Sequence, residues 1–235
     1  LKATIYSNKE KIGTTLLEVS DNSIGVLSGI FTPNENYEKI RHLFWDFNLE
    51  TKDKDFELLK NLRLNVQLDN GYFLFSIGGI SIWDLEDLKD EPIQLDIAGV
   101  FRHVILDYFE NTEATPILQE PWDFLTIEQK IAFENELKIE IGSDEKNGIF
   151  GFLKREKDNH NLKNIEVSAL ANTGMNDDVL FAIHNPKLDY NFVIVHLTWK
   201  GEKERNSNWP STDYYKDFEE FKYKKMFPDK VERES

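Results

Sequence analysis

The stretch LNVQLDNGYFLFSIGGISIW, residues 64–83, decides the class of fold. Its β-prone runs at 64–68 and 72–77 are joined by Asp69-Asn70-Gly71, and an Asn-Gly pair accepts the positive φ that a tight hairpin demands. Gly78-Gly79 repeats the signal ahead of 80–83, so the stretch is predicted to be a three-stranded meander. Strands joined by such short turns run antiparallel, because a parallel pair needs a crossover of a dozen or more residues.

Working outward, residues 3–6 and 12–19 form a second hairpin pattern, residues 24–31 a further strand, and residues 93–100 another. Thr32-Pro33-Asn34-Glu35 reads as a helix start, with Thr32 as cap and Pro33 in the first helical position. Beyond it Tyr37, Ile40, Phe44 and Phe47 recur at helical spacing, and a shorter helix is predicted at 55–62. In the second half, Thr126 and Gln129 bracket a capping box that opens a helix to about residue 137. Strands are expected at 138–141, 149–153, 165–171 and 178–183, although 167–171 also fits a helix. A polar loop is expected at 154–164. The run 190–199 is apolar on both faces and reads as a central strand. Trp209-Pro210 is read as leading into a helix through Met226, with a frayed tail after Pro228.

Residues 111–121 carry two prolines and no apolar periodicity, which places a linker at 113–121 between domains at 1–112 and 122–228. The predicted fold class is therefore α+β, in two domains, each a mainly antiparallel sheet covered by one or two helices.

Composition removes whole classes of chemistry. No cysteine is present, so disulfides, cysteine nucleophiles and cysteine zinc sites are excluded. With 28 Lys plus Arg against 43 Asp plus Glu, the net charge is −15, and both halves share the excess. Such a charge repels phosphate backbones and is read either as serving solubility or as a surface for a basic protein partner; nucleic acid and membrane are not expected as partners. No apolar run is long enough for a membrane span, and the N-terminus reads as strand, so a cytoplasmic location is expected; a leader removed before Leu1 stays open. Phosphate loops, dinucleotide glycine fingerprints, nucleophile elbows, H-E-x-x-H and EF-hand loops are absent, and no cofactor or metal is expected.

The candidate site residues fall into three groups. Asp178, His184 and His196, with Asp177 beside them, are the residue types for acid–base or metal chemistry, and Trp199 and Glu202 adjoin them. Against this, a histidine between apolar strand neighbours is commonly a hydrogen-bonded core residue, and Asp177 and Asp178 follow Gly174-Met175-Asn176, where carboxylates shape turns. The acidic run Asp84, Glu86, Asp87, Asp90 and Glu91 is either a solvated connection or a patch for a basic partner. Trp199, Trp209, Tyr214 and Tyr215 either line a groove or pack a helix on a sheet. His103 and Asp107 share a face only if that piece is helical, and Glu136 with Glu140 is the surface pair of acids expected on an acidic chain; neither pair is read as a site.

The ordered phrases Ala169-Leu170-Ala171, Asp177-Asp178-Val179-Leu180-Phe181, Val195-His196-Leu197-Thr198-Trp199 and Trp209-Pro210 give residues 122–227 a resemblance to a group of small bacterial proteins. No activity attaches to that group, so the resemblance transfers none. The first half looks like a separate bacterial module. The leading expectation is a non-enzymatic protein-binding module, an inhibitor or immunity-type partner of a basic protein. The alternatives are an enzyme or metal-binding protein with a site around His184 and His196, and a small-ligand binding module.

Overall fold

The computed structural model describes residues 1–49, 56–111, 118–142, 160–185 and 187–234. The chain divides into two units, Leu1–Ile117 and Leu118–Ser235. Each is built on an antiparallel sheet carrying helices, so the fold is α+β. The expected strand at 149–153 and most of the expected loop at 154–164 lie outside the described residues, as does most of the expected linker.

In the first unit the order along the chain is β1 (Lys2–Ser7), β2 (Glu10–Leu16), β3 (Glu18–Asp21), β4 (Val26–Pro33), α1 (Glu35–Asn48), α2 (Phe56–Leu62), β5 (Leu64–Leu68), β6 (Ser76–Trp83), β7 (Ile93–Val100) and the short α3 (Arg102–Val104). The strands form one sheet in the order β5-β1-β2-β4-β7-β6, with β3 also pairing β4. Strands β2 and β3 both lie along β4 and are separated only by the buried Leu17, whose C=O accepts from the Leu1 amino group at 2.6 Å. Ala3, Ile5, Leu27, Leu95 and Ile97 are fully buried, and α1 contributes Tyr37 and Phe44, with the Tyr37 ring 4.9 Å from Phe31.

Two expectations for this unit are corrected. Asn70-Gly71 does make a turn, with Gly71 at φ 97°, but residues 72–75 join the sheet only through a single Gln67–Phe73 bridge. Gly78-Gly79 is no turn at all: both lie inside β6, at a register shift against β7. A Cβ on Gly78 would stand 2.7 Å from that of Ala98, so the glycine is there for close strand approach. The expected meander is therefore absent: β5 pairs β1 and β6 pairs β7, at opposite edges of the sheet. The helix start also shifts, because Pro33 still pairs with Gly13 in the sheet; Asn34 caps α1 instead, its Oδ1 accepting from the N–H groups of Asn36 and Tyr37.

One polar stripe on α1 holds the unit together. Tyr37, Arg41 and Trp45, spaced four apart, all donate to the carboxylate of Asp84, just past β6: Tyr37 Oη at 2.8 Å, Arg41 Nε at 2.7 Å and Trp45 Nε1 at 2.9 Å. Asn48, one turn on, donates to the backbone carbonyls of Ile82 and Asp84. The Asp84 side chain is 1% exposed.

The second unit runs β8 (Trp122–Phe124), α4 (Ile127–Ile141), β9 (Glu166–Thr173), β10 (Asp178–His184), β11 (Phe192–His196), β12 (Ser211–Tyr215), α5 (Phe218–Phe221) and α6 (Phe227–Glu234). Its sheet is a meander in the order β12-β11-β10-β9-β8. Val179–Ile183 of β10 and 192–195 of β11 are wholly buried, which explains their lack of polar alternation. Phe218 packs on Phe192 at 5.6 Å between ring centroids, and Phe221 on Tyr215 and Trp122 at 5.8 and 5.1 Å. The capping box at Thr126 and Gln129 is present.

Strand β8 pairs β9 only at Ala171, Asn172 and Thr173. Beyond its end, α4 takes over the open edge: the Ala169 N–H donates to Glu134 Oε1, and Lys130 Nζ donates to the Ala169 carbonyl, to Ser168 and, at 2.6 Å, to Glu134. A buried ion pair thus satisfies backbone groups that a neighbouring strand would have taken.

Three further expectations are corrected. Residues 138–141 are the last turn of α4, closed by the left-handed Gly142 at φ 66°, not a strand. Residues 211–215 are the edge strand β12 rather than part of a helix; its polar sequence STDYY carried no apolar alternation because an edge strand is half solvated. The tail past Pro228 is helical and fastened, with Asp229 accepting from Trp122 Nε1 at 2.9 Å and Arg233 pairing with Glu120 at 2.9 Å. No helix among the described residues is long and apolar enough to cross a membrane.

Candidate functional site

The meander of the second unit brings the start of β10, the end of β11 and the start of β12 to one end of the sheet. Asp178 stands directly opposite His196, and His196 opposite Ser211. Cross-strand partners share a face, so these side chains form one row. His196 Nδ1 lies 2.8 Å from Asp178 Oδ1, and Asn176 Nδ2 donates to the other carboxylate oxygen at 3.0 Å. Asp178 can only accept when ionised, so the His196 Nδ1 carries the proton of that bond. Lys225 approaches Asp178 at 3.9 Å and pairs with Asp229 at 3.0 Å, neutralising the inner side of the row. Outward, the His196 side chain is 40% exposed.

An indole stands on each side. The Trp209 ring lies edge-on to His196 at 6.5 Å, and Trp199 Nε1 donates to Asp177 Oδ1 at 3.1 Å. Both indoles face solvent, at 45% exposure for Trp199 and 43% for Trp209.

Each tryptophan is presented by a segment tied to a buried titratable residue. Glu140, in the last turn of α4, turns one carboxylate oxygen toward the segment after β11, where it accepts from Thr198 N at 2.7 Å, Trp199 N at 2.8 Å and Thr198 Oγ1 at 2.9 Å. Glu136 accepts from Gly201 N at 3.0 Å, and the Glu140 carbonyl accepts from Glu204 N. These bonds hold Trp199 at φ 55°, in a region a bulky residue rarely adopts unaided. Burial pushes the Glu140 carboxyl up, against the pull of the Thr198 and Trp199 bonds, and its second oxygen has no partner among the described residues. On the other side, buried His160 accepts from Leu162 N at Nδ1, which makes Nε2 the protonated nitrogen that donates to the Pro210 carbonyl at 3.0 Å. Both ring nitrogens serve the neutral form, and burial lowers the pKa of His160.

The structure therefore gathers Asp177, Asp178, His196, Trp199 and Trp209 from the sequence candidates. It leaves out His184, at the far end of β10 opposite Glu166 of β9, six residues or about 20 Å from Asp178 along the strand. Glu202 is exposed in the turn after Trp199. In the acidic run of the first unit, Asp84 is consumed by α1 while Glu86, Asp87, Asp90 and Glu91 face solvent. His103 lies against Tyr72, 3.3 Å from its hydroxyl. Glu136 and Glu140 are buried, so they are not the surface pair expected from spacing. Sequence spacing marks Glu140 only as half of a surface pair, because ending α4 near residue 137 removes it from its helix, and His160 carries no signal in a polar stretch without periodicity.

Among the described residues no group of three or more His, Asp or Glu is arranged to hold a metal ion. The arrangement offers two flat π-faces, carboxylates beside them and a half-exposed imidazole, which is chemistry suited to holding a cationic side chain. No family model, curated protein or solved structure matches the chain.

Proposed function

We propose that the chain is a non-enzymatic protein-binding module for a basic protein, of the inhibitor or immunity type. The observation that carries this reading is the pair of half-exposed tryptophans, Trp199 and Trp209, set around Asp177, Asp178 and His196. Exposed aromatic anchors within a polar surround are the usual make-up of an interface hot spot. An arginine laid on an indole with a carboxylate at its edge gains both a cation–π contact and a charge-assisted hydrogen bond. The net charge of −15 steers such a partner toward the surface from a distance.

The test is capture from extracts of the native host with the purified chain and with the W209A variant as baits, at low and moderate salt, followed by identification of the retained proteins. The reading expects a protein of pI above about 9 that is held by the native chain, released by salt and lost from W209A. Retention of only neutral or acidic proteins, or of the same basic protein by both baits, would overturn it.

A second reading, acid–base chemistry at His196, draws on the Asp178–Nδ1 bond, which fixes one tautomer and leaves Nε2 without a partner among the described residues. It parts from the first in expecting H196A to abolish a turnover rather than weaken an association.

A further inference from the structure

The opposite end of the same sheet carries a second feature. Where β10 turns into β11, Asn185, Leu188 and Tyr190 meet Asn161, Ile165 and Tyr214 around a recess of about 310 Å³. We propose that this recess binds a neutral pyranose sugar.

Three properties select that ligand class. Among the described residues none of the six lining side chains is charged, in a chain that is 30% charged residues, so the recess suits a neutral ligand. Its polar groups are two side-chain amides, Asn161 and Asn185, and two tyrosine hydroxyls. Asn185 Oδ1 accepts from Lys187 N at 2.9 Å, which orients the side chain and leaves its Nδ2 without a partner among the described residues. An amide supplies donor and acceptor together, matching hydroxyl groups that are themselves both. The remaining wall is apolar and aromatic. The rings of Tyr190 and Tyr214 lie 5.5 Å apart and are inclined at 44°. Two rings must stand about 7 Å apart and parallel to sandwich a flat base, since each stacked face needs its own van der Waals distance. The tyrosines are too close and too tilted for that, whereas the C–H face of a pyranose packs against a single ring. The volume lies at the lower end for ligand pockets and fits one ring rather than a chain.

This inference is independent of the tryptophan cluster, which lies at the other end of β10. The test is a ¹H–¹⁵N correlation titration of the full chain with glucose, galactose and N-acetylglucosamine in turn, and with adenosine as the flat-ring comparison. The expected result is a saturable shift with at least one sugar, confined to the Asn161 and Asn185 side-chain amides and the backbone of 188–190 and 214, and none there with adenosine. N161A, an exposed position that leaves the core intact, is expected to weaken that binding about tenfold, and Y214A to abolish it. Absence of shifts with all three sugars, shifts undiminished in N161A, or shifts with adenosine alone would each overturn the proposal.

Discussion

Asp84 in the first unit and Asp178 in the second are built from the same ingredients and end up doing opposite things. Each stands at the end of a strand, near a tryptophan and a cationic side chain: Trp45 and Arg41 in one case, Trp209 and Lys225 in the other. Around Asp84 every neighbour donates inward. Arg41 Nε sits at 2.7 Å, the indole N–H points at the carboxylate, and the side chain is 1% exposed. Around Asp178 the lysine stands off at 3.9 Å, the Trp209 indole is turned to solvent, and the acid is 14% exposed. The first carboxylate is used up in holding a helix to a sheet. The second leaves its neighbouring imidazole and indole open to solvent, and the difference lies in which neighbours are drawn inward.

That contrast breaks most visibly at Asp84. D84A leaves Arg41 charged and partly buried with the Tyr37 hydroxyl unpaired, so the first unit is expected to lose about 3 to 5 kcal/mol, seen as a large fall in the midpoint of thermal unfolding. D178A removes a mostly buried acid that accepts from His196 and Asn176, but its lysine keeps a second partner in Asp229 and no charge is stranded, so the expected loss is smaller, about 1 to 2 kcal/mol. Equal losses from the two substitutions would erase the distinction.

How far this was readable from the chain depends on where each residue's partners lie. The antiparallel class, strand β7 and the Thr126 cap rest on neighbours a few residues apart, and local spacing reveals them. Asp84 looked like one acid in a solvated run, because its partners are on a helix some 40 residues earlier and a spacing of four among Tyr37, Arg41 and Trp45 carries no apolar signal. Residue type singles out Asp178 and His196, but only strand register separates them from His184. The stretch around Glu140 mimics a strand for a physical reason: Ile139 and Ile141 alternate with polar neighbours as a β-strand would, while the tertiary bonds of α4 keep the last turn helical.

The segments presenting the two tryptophans should respond to their buried anchors. E140A strips the acceptor from the Thr198 and Trp199 N–H groups, at an expected cost of about 1 to 3 kcal/mol and with faster hydrogen exchange at those two amides. Because the folded-state pKa of Glu140 is raised above 4.5, its contribution to stability is present at low pH and is lost as pH rises through the folded value. E140Q is therefore expected to flatten that fall. His160 acts in the other direction. Its folded pKa is depressed below 6.5, so its stabilising effect is present above 6.5 and is lost as pH falls through the folded value. Urea unfolding at about pH 7 and about pH 5.5 should show the acid loss in the native chain and a smaller one in H160N.

The smallest effect on stability and the largest on function are expected at the same place. W199A and W209A remove half-exposed side chains, and W199A also loses the Phe133 contact and the Asp177 bond, so the expected change in unfolding free energy is about 1 kcal/mol, well short of unfolding the unit. The direct measurement is the dissociation constant of the captured basic partner for the native chain, W199A and W209A at one fixed salt concentration. A weakening of about thirtyfold or more by either substitution, with the variant still folded at the temperature of the measurement, is the predicted result. Affinity within a factor of two of native for both variants would contradict the account.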